Sequence, residues 1–166
     1  MRKVLYIFGQ LTDPDVEWLA KHGRRKRLPK GTILINQGVP VETLYIVLEG
    51  TLSVLKGPEK REIARLEEGE IAGEMSFVDS RPPSATVRAE TNVVVYAMSR
   101  KTLAAALEQN PAFGARFYKA LATFISDRLR SWTDPDSKDE LDDSVLDNVD
   151  RAGARFKMLS RQLIDG

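Results

Sequence analysis

The segment from Glu70 to Ala89 gathers Gly73, Glu74, Met75, Ser76, Arg81, Ser84, Ala85 and Thr86 within twenty residues. Together these residue types can hold a small anion without covalent chemistry. Successive backbone N–H groups at the start of a helical turn carry partial positive charge and point at such an anion. Gly73 has no Cβ and lets the chain turn sharply and come close. Ser84 offers a hydroxyl and an N–H. Glu74 offers an acceptor for a ligand hydroxyl. Arg81 is the nearest cation, but Pro82 and Pro83 follow it and favour extended backbone. Arg81 therefore reads either as an anion contact or as a solvated loop residue. Arg88 shares a strand face with Ser84 and Thr86 by period-2 alternation; a solvated strand position is its other reading.

Other chemistries find little material. Cysteine is absent, which excludes disulfides, a Cys nucleophile and Cys-ligated zinc or iron–sulfur sites and suits a reducing compartment. The single histidine, His22, reads as a surface residue beside a basic run. Glu67, Glu68, Glu70 and Glu74 are the clustered carboxylates of the central region, and the first three read as solvated turn residues. No nucleophile–base pair stands out, so the expectation is a binding protein and not an enzyme, with no metal and no resident cofactor. The run His22–Arg27, with Lys30, reads as an anion patch or as a solvated turn and strand start. No aromatic residue interleaves it to stack bases. With a net charge of +1 there is no global attraction to nucleic acid. No apolar run approaches the roughly 18 residues of a membrane span. Met1–Gly9 lacks the apolar core and cleavage site of a secretory leader and reads as a folded N-terminus.

The elements that position these residues follow from turn signals and periodicity. Asp13 as N-cap with Pro14 opens a helix that stops near Gly23. Between Gly31 and Met98 short strands alternate with turns: 32–35, 44–48, 52–55, 63–66, 86–89 and 93–98. Glycines at the corners suggest a jelly roll or barrel. Ser99 caps a helix ending at Asn110-Pro111. A second helix over about 112–132 carries Phe113, Phe117, Leu121, Phe124 and Ile125 on one side. An acidic linker follows. Beyond it Val145, Val149, Ala152, Phe156, Leu159 and Leu163 step by four and three, a helical stripe. That stripe reads as a docking or dimerisation face, or as a helix folded back on the roll.

The stretch Glu70-Ile-Ala-Gly-Glu-Met-Ser-Phe-Val-Asp-Ser-Arg-Pro-Pro-Ser-Ala-Thr-Val-Arg-Ala89 resembles the phosphate-binding cassette of the cyclic nucleotide-binding domain family. Gly73-Glu74 and Ser84-Ala85-Thr86-Val87 sit at the family's spacing. The corner glycines Gly31, Gly38 and Gly50 are similar to those of the family's β-roll. The resemblance runs from about Asp13 to Arg130. It implies a mainly β fold, a double-stranded β-helix (jelly roll) with flanking helices. It also implies Glu74 on a ribose hydroxyl, cAMP or cGMP as ligand, and a lid and long helix that often dimerise. One position departs from the pattern: Pro83 stands where the family has its phosphate-binding Arg. Loss of one partner of a buried charged pair costs about 2–5 kcal/mol, roughly thirty-fold to several-thousand-fold in affinity.

The expected organisation is a nucleotide-binding-like domain over 1–132, an acidic linker over 133–143 and a C-terminal helix over 144–166. The opening Met1–Leu19 resembles small stand-alone bacterial members associated with bacteriocin-type transport, which implies a cytoplasmic accessory protein. Two functions follow as expectations. One is a regulatory sensor of a cyclic nucleotide or related anion. The alternative is a degenerate, non-binding domain acting as a homodimer or docking a protein partner through its C-terminal helices.

Overall fold

The computed structural model describes residues 7–134, 136 and 149–163. The first helix with a full cap, α1 (Asp13–His22), is opened by a reciprocal pair. The Thr12 hydroxyl accepts the Asp15 N–H at 3.4 Å, and the Asp15 carboxylate accepts the Thr12 N–H at 2.9 Å. Such a capping box satisfies two orphan donors at once. It moves the N-cap to Thr12, one residue before the expected Asp13, and puts Pro14 inside the first turn.

Eight strands then form two four-stranded antiparallel sheets. The strands are β1 (Arg24–Leu28), β2 (Ile33–Ile35), β3 (Thr43–Glu49), β4 (Leu52–Lys56), β5 (Arg61–Leu66), β6 (Ile71–Ala72), β7 (Thr86–Ala89) and β8 (Val93–Ser99). One sheet has the order β1-β8-β3-β6, the other β2-β7-β4-β5. This is the antiparallel jelly roll expected from the sequence, with flanking helices. Gly31, Gly38, Gly50, Gly57 and Gly69, at the corners, all have positive φ, which glycine adopts without strain.

The near-continuous apolar run of β3 has a direct cause. Leu44, Ile46 and Leu48 join the core shared with the helices, while Tyr45 and Val47 join the core inside the roll. Side chains alternate across a strand, so a strand buried on both faces shows no polar alternation. β8 does the same, with Tyr96 and Met98 toward the helices and Val93 and Val95 toward the roll.

The basic run is itself a strand. Arg24–Leu28 is β1, an edge that pairs only with β8, and charged side chains are a common way to blunt an edge. The Arg25 guanidinium donates to the Ser160 carbonyl. His22 is exposed and stacks on Trp18 with ring centroids 4.1 Å apart. Another expectation needs correction: Glu70 is not a solvated turn residue. It is buried, and its carboxylate accepts the Glu67 N–H at 2.8 Å, closing the β5–β6 turn.

Between β6 and β7 lies the short helix α2 (Glu74–Asp79). After β8, Ser99 caps α3 (Arg100–Gln109), and Asn110 caps α4 (Pro111–Thr133). Phe113, Phe117, Leu121 and Phe124 are buried, whereas Ile125 is half-buried. Arg116 of α4 forks onto Asp15 of α1 at 2.7 and 2.9 Å.

The last described helix, α5 (Val149–Gln162), folds back on the chain. Ala152, Phe156, Leu159 and Leu163 are buried in the same core as Phe8, Val16, Leu19 and Ala20. Phe156 meets Phe8 edge-on at 5.6 Å. Arg155 donates to Asp13 and to the Phe8 carbonyl at 2.8 and 2.9 Å. Of the two readings of the C-terminal stripe, burial against its own chain is what the described residues adopt. Val145 lies outside them.

Candidate functional site

At one end of the roll's interior is a cavity of about 260 Å³. Its walls are apolar: Ile35, Val54, Leu66 and Val87 come from β2, β4, β5 and β7, and Ile71 and Ala72 from β6. Ile63 and Ala64 of β5 extend them. The segment from Gly73 to Ala85 forms the rim, and the C-terminal end of α4 contributes Arg128 and Trp132.

Gly73 makes the turn into α2 feasible. Its φ is +88°, and an added Cβ would lie 2.9 Å from the Thr43 carbonyl oxygen. Both facts require glycine: an L side chain is strained at that φ, and the backbone neighbour cannot swing away. The following residue, Glu74, is only 4% exposed. Its Oε1 accepts Arg128 Nη1 at 2.5 Å, and the same guanidinium donates to the Ile71 carbonyl at 3.2 Å. Arg128 also lies over the Phe124 ring, 4.5 Å from its centroid. Burial raises the Glu74 carboxyl above the ordinary glutamate value, and the Arg128 charge offsets part of that rise.

Of the sequence-predicted site residues, Gly73, Glu74, Met75, Ser76, Arg81, Ser84 and Ala85 come together around this cavity. Ser76 is buried, while Met75 and Ser84 are exposed. Thr86 is not among the lining residues; its hydroxyl accepts the Gln37 N–H at 3.1 Å and braces the β2–β3 loop. The Arg81 side chain is 83% exposed and sits 3.6 Å from Asp79, whose Oδ1 also accepts the Arg81 N–H at 2.9 Å. Arg88 is off the cavity, 3.7 Å from Glu90. Pro83 lies on the rim and its carbonyl accepts the Gly38 N–H at 2.9 Å.

Arg128 and Trp132 were not among the residues that sequence reasoning singled out for the site. They stand more than fifty residues from Glu74. The one usable signal was the phase of α4: a cation four residues after the buried Phe124 sits on nearly the same helix face. Among the described residues no cluster of His, Cys, Asp or Glu could hold a metal ion, and no helix is long and apolar enough to cross a membrane.

The sequence and the fold are similar to those of known proteins. Residues 25–110 match the cyclic nucleotide-binding domain family. The cAMP-activated global transcriptional regulator CRP of Salmonella typhimurium is 34% identical over 115 residues, which span 67% of this chain and 55% of that protein. A cAMP-dependent protein kinase regulatory subunit of Mucor circinelloides is 33% identical over 69% of this chain and 26% of its own length. A cyclic nucleotide-binding domain from Methylobacillus flagellatus superposes with a TM-score of 0.71 at 26% identity, covering 85% of this chain and 88% of that one.

Proposed function

This chain belongs to the cyclic nucleotide-binding domain family, and from that premise we propose that it is a regulatory sensor whose ligand enters the cavity beneath α2. Glu74 accepts a ligand hydroxyl there, and the cassette works without an arginine at position 83. The observation that carries this reading is the ion pair between Glu74 and Arg128. A ligand hydroxyl on Glu74 competes with Arg128 for the carboxylate and so acts directly on the end of α4. Arg116, twelve residues earlier, holds α4 to Asp15 of α1, and α1 packs against α5. Occupancy of the cavity is thereby linked to both helical layers.

A second reading draws on a different observation. Tyr118, Ala122, Leu129 and Trp132 of α4 are exposed, with half-buried Ile125 between them. The steps of four, three, four and three residues are those of a coiled-coil seam. On this reading the chain is an adaptor that pairs with a second copy through α4, its cavity unused. The link to bacteriocin-type transport rests on the opening residues, of which 1–6 lie outside the described ones.

Calorimetric titration with cAMP, cGMP and their parent nucleosides separates the two. Saturable binding that Glu74→Gln weakens about tenfold supports the sensor. Silence to all four up to millimolar concentration leaves the adaptor.

A further inference from the structure

Every charged group on the cavity already has a partner. Glu74 and Arg128 neutralise one another on its lining, and Asp79 and Arg81 do so at its rim. The sum over the lining is zero. Position 83 is a proline whose ring supplies neither charge nor donor, and its carbonyl is held by Gly38. The N–H of Arg81 is taken by the Asp79 carboxylate. The helix that begins the cassette has six residues and starts with an acid, Glu74, so it offers an anion little net attraction.

At the exposed rim Ser84 offers an anion neutral donors only, and an anion that enters the apolar depth loses its hydration and finds no unpaired cation among the lining side chains, the costly case for a buried charge. A neutral molecule meets no such penalty. The walls suit an uncharged ring, since burial of apolar surface is favourable in itself. At about 260 Å³ the space lies just below the range of about 300–1,000 Å³ usual for ligand pockets, which favours a small ligand. At the mouth Trp132 is 61% exposed and offers a face on which an aromatic heterocycle stacks. Glu74, also on the lining and an acceptor when ionised, calls for a hydroxyl or N–H donor.

We infer that the ligand of this cavity is a neutral ribonucleoside, bound through its ring and a sugar hydroxyl, and that a phosphate group weakens binding. The inference rests on the sensor reading above.

Its test compares adenosine with cAMP, and guanosine with cGMP, by calorimetry on the full chain. At least one nucleoside is expected to bind ten or more times tighter than its cyclic phosphate. A cyclic nucleotide that binds as tightly or tighter overturns the inference while leaving the sensor reading intact. Absence of binding by all four overturns both. Two variants guard against a hidden cation. Arg81→Ala is expected to change cAMP affinity by no more than about twofold; a tenfold loss of cAMP affinity would make Arg81 a phosphate contact and overturn the proposal. Pro83→Arg is expected to raise cAMP affinity about thirty-fold with no gain for adenosine. An equal gain for both would mean that charge at position 83 does not set the preference, which also overturns it.

Discussion

Arg128 and Glu74 meet on the cavity lining at 2.5 Å, with side chains 20% and 5% exposed. Breaking a buried ion pair from one side costs about 3–5 kcal/mol; with Arg128 partly solvated, Arg128→Met is expected to cost about 2–3 kcal/mol at neutral pH. The pH dependence has a definite sign. Burial raises the folded-state value of Glu74 above 4.5, so the folded chain holds that proton more tightly than the unfolded one. Stability from this group is full below pH 4.5 and falls as pH rises through the folded value. Losing Arg128 enlarges the shift, so the gap between wild type and variant should widen from pH 4 to pH 8 in urea unfolding. Adding Glu74→Gln should recover most of the loss. A gap that is constant with pH would show that the pair is not what the variant disturbs.

Asp15 has the opposite sign. Burial alone would raise its carboxyl, but hydrogen bonds from Arg116 and Thr12, with the Arg116 charge, together hold it below the ordinary 3.8. Its stabilisation is present above pH 3.8 and is lost as pH falls through the lower folded value. Hydrogen bonds to charged groups contribute about 1.5–3 kcal/mol. Arg116 is one-third exposed, so Asp15→Asn should cost about 1–2 kcal/mol at pH 7 after screening. Thermal scans should show the wild type and the variant converging as pH drops below 3.8. Parallel curves down to pH 2 would exclude an ionised Asp15 as the source.

These two pairs also mark the limit of what the sequence discloses. The roll was legible because its signals are local: glycines where φ is positive, apolar runs of strand length, Ser99 ahead of one helix and Asn110-Pro111 at its end. The rim of the cavity was legible too, as Gly73 through Ala85 are consecutive. The partners Arg128 and Arg116 were not, because nothing in linear spacing says which acid a helical arginine will reach. The short β6 was missed because two residues carry no periodicity. β1 was read as a turn and strand start because four cations in a row mask an edge strand.

The back-folded α5 gives a third prediction. Phe156 is 4% exposed and packs on Phe8. Phe→Ala at a buried site costs about 3–5 kcal/mol, so Phe156→Ala should lower the unfolding free energy measured in urea by that amount. Because the residue packs within its own chain, the mass in light scattering should not change. A changed mass with unaltered stability would turn the stripe into an interface between copies.

The outward row of α4 gives the last. Leu129 is 58% exposed and follows the same four-three spacing as Tyr118, Ile125 and Trp132. If a second copy covers this row, burying such a side chain contributes about 1.5–3 kcal/mol on each protomer. A charge in the seam would then be both unpaired and desolvated. Leu129→Arg should therefore convert a dimer to a monomer in light scattering at micromolar protein while leaving the secondary structure by circular dichroism unchanged, since Leu129 packs on little of its own chain. Should the wild type be monomeric at millimolar concentration, the row is plain solvent-exposed surface and the adaptor reading loses its support. Should Leu129→Arg remain dimeric, the two copies meet elsewhere, and Trp132 stays free to cap the cavity in either state.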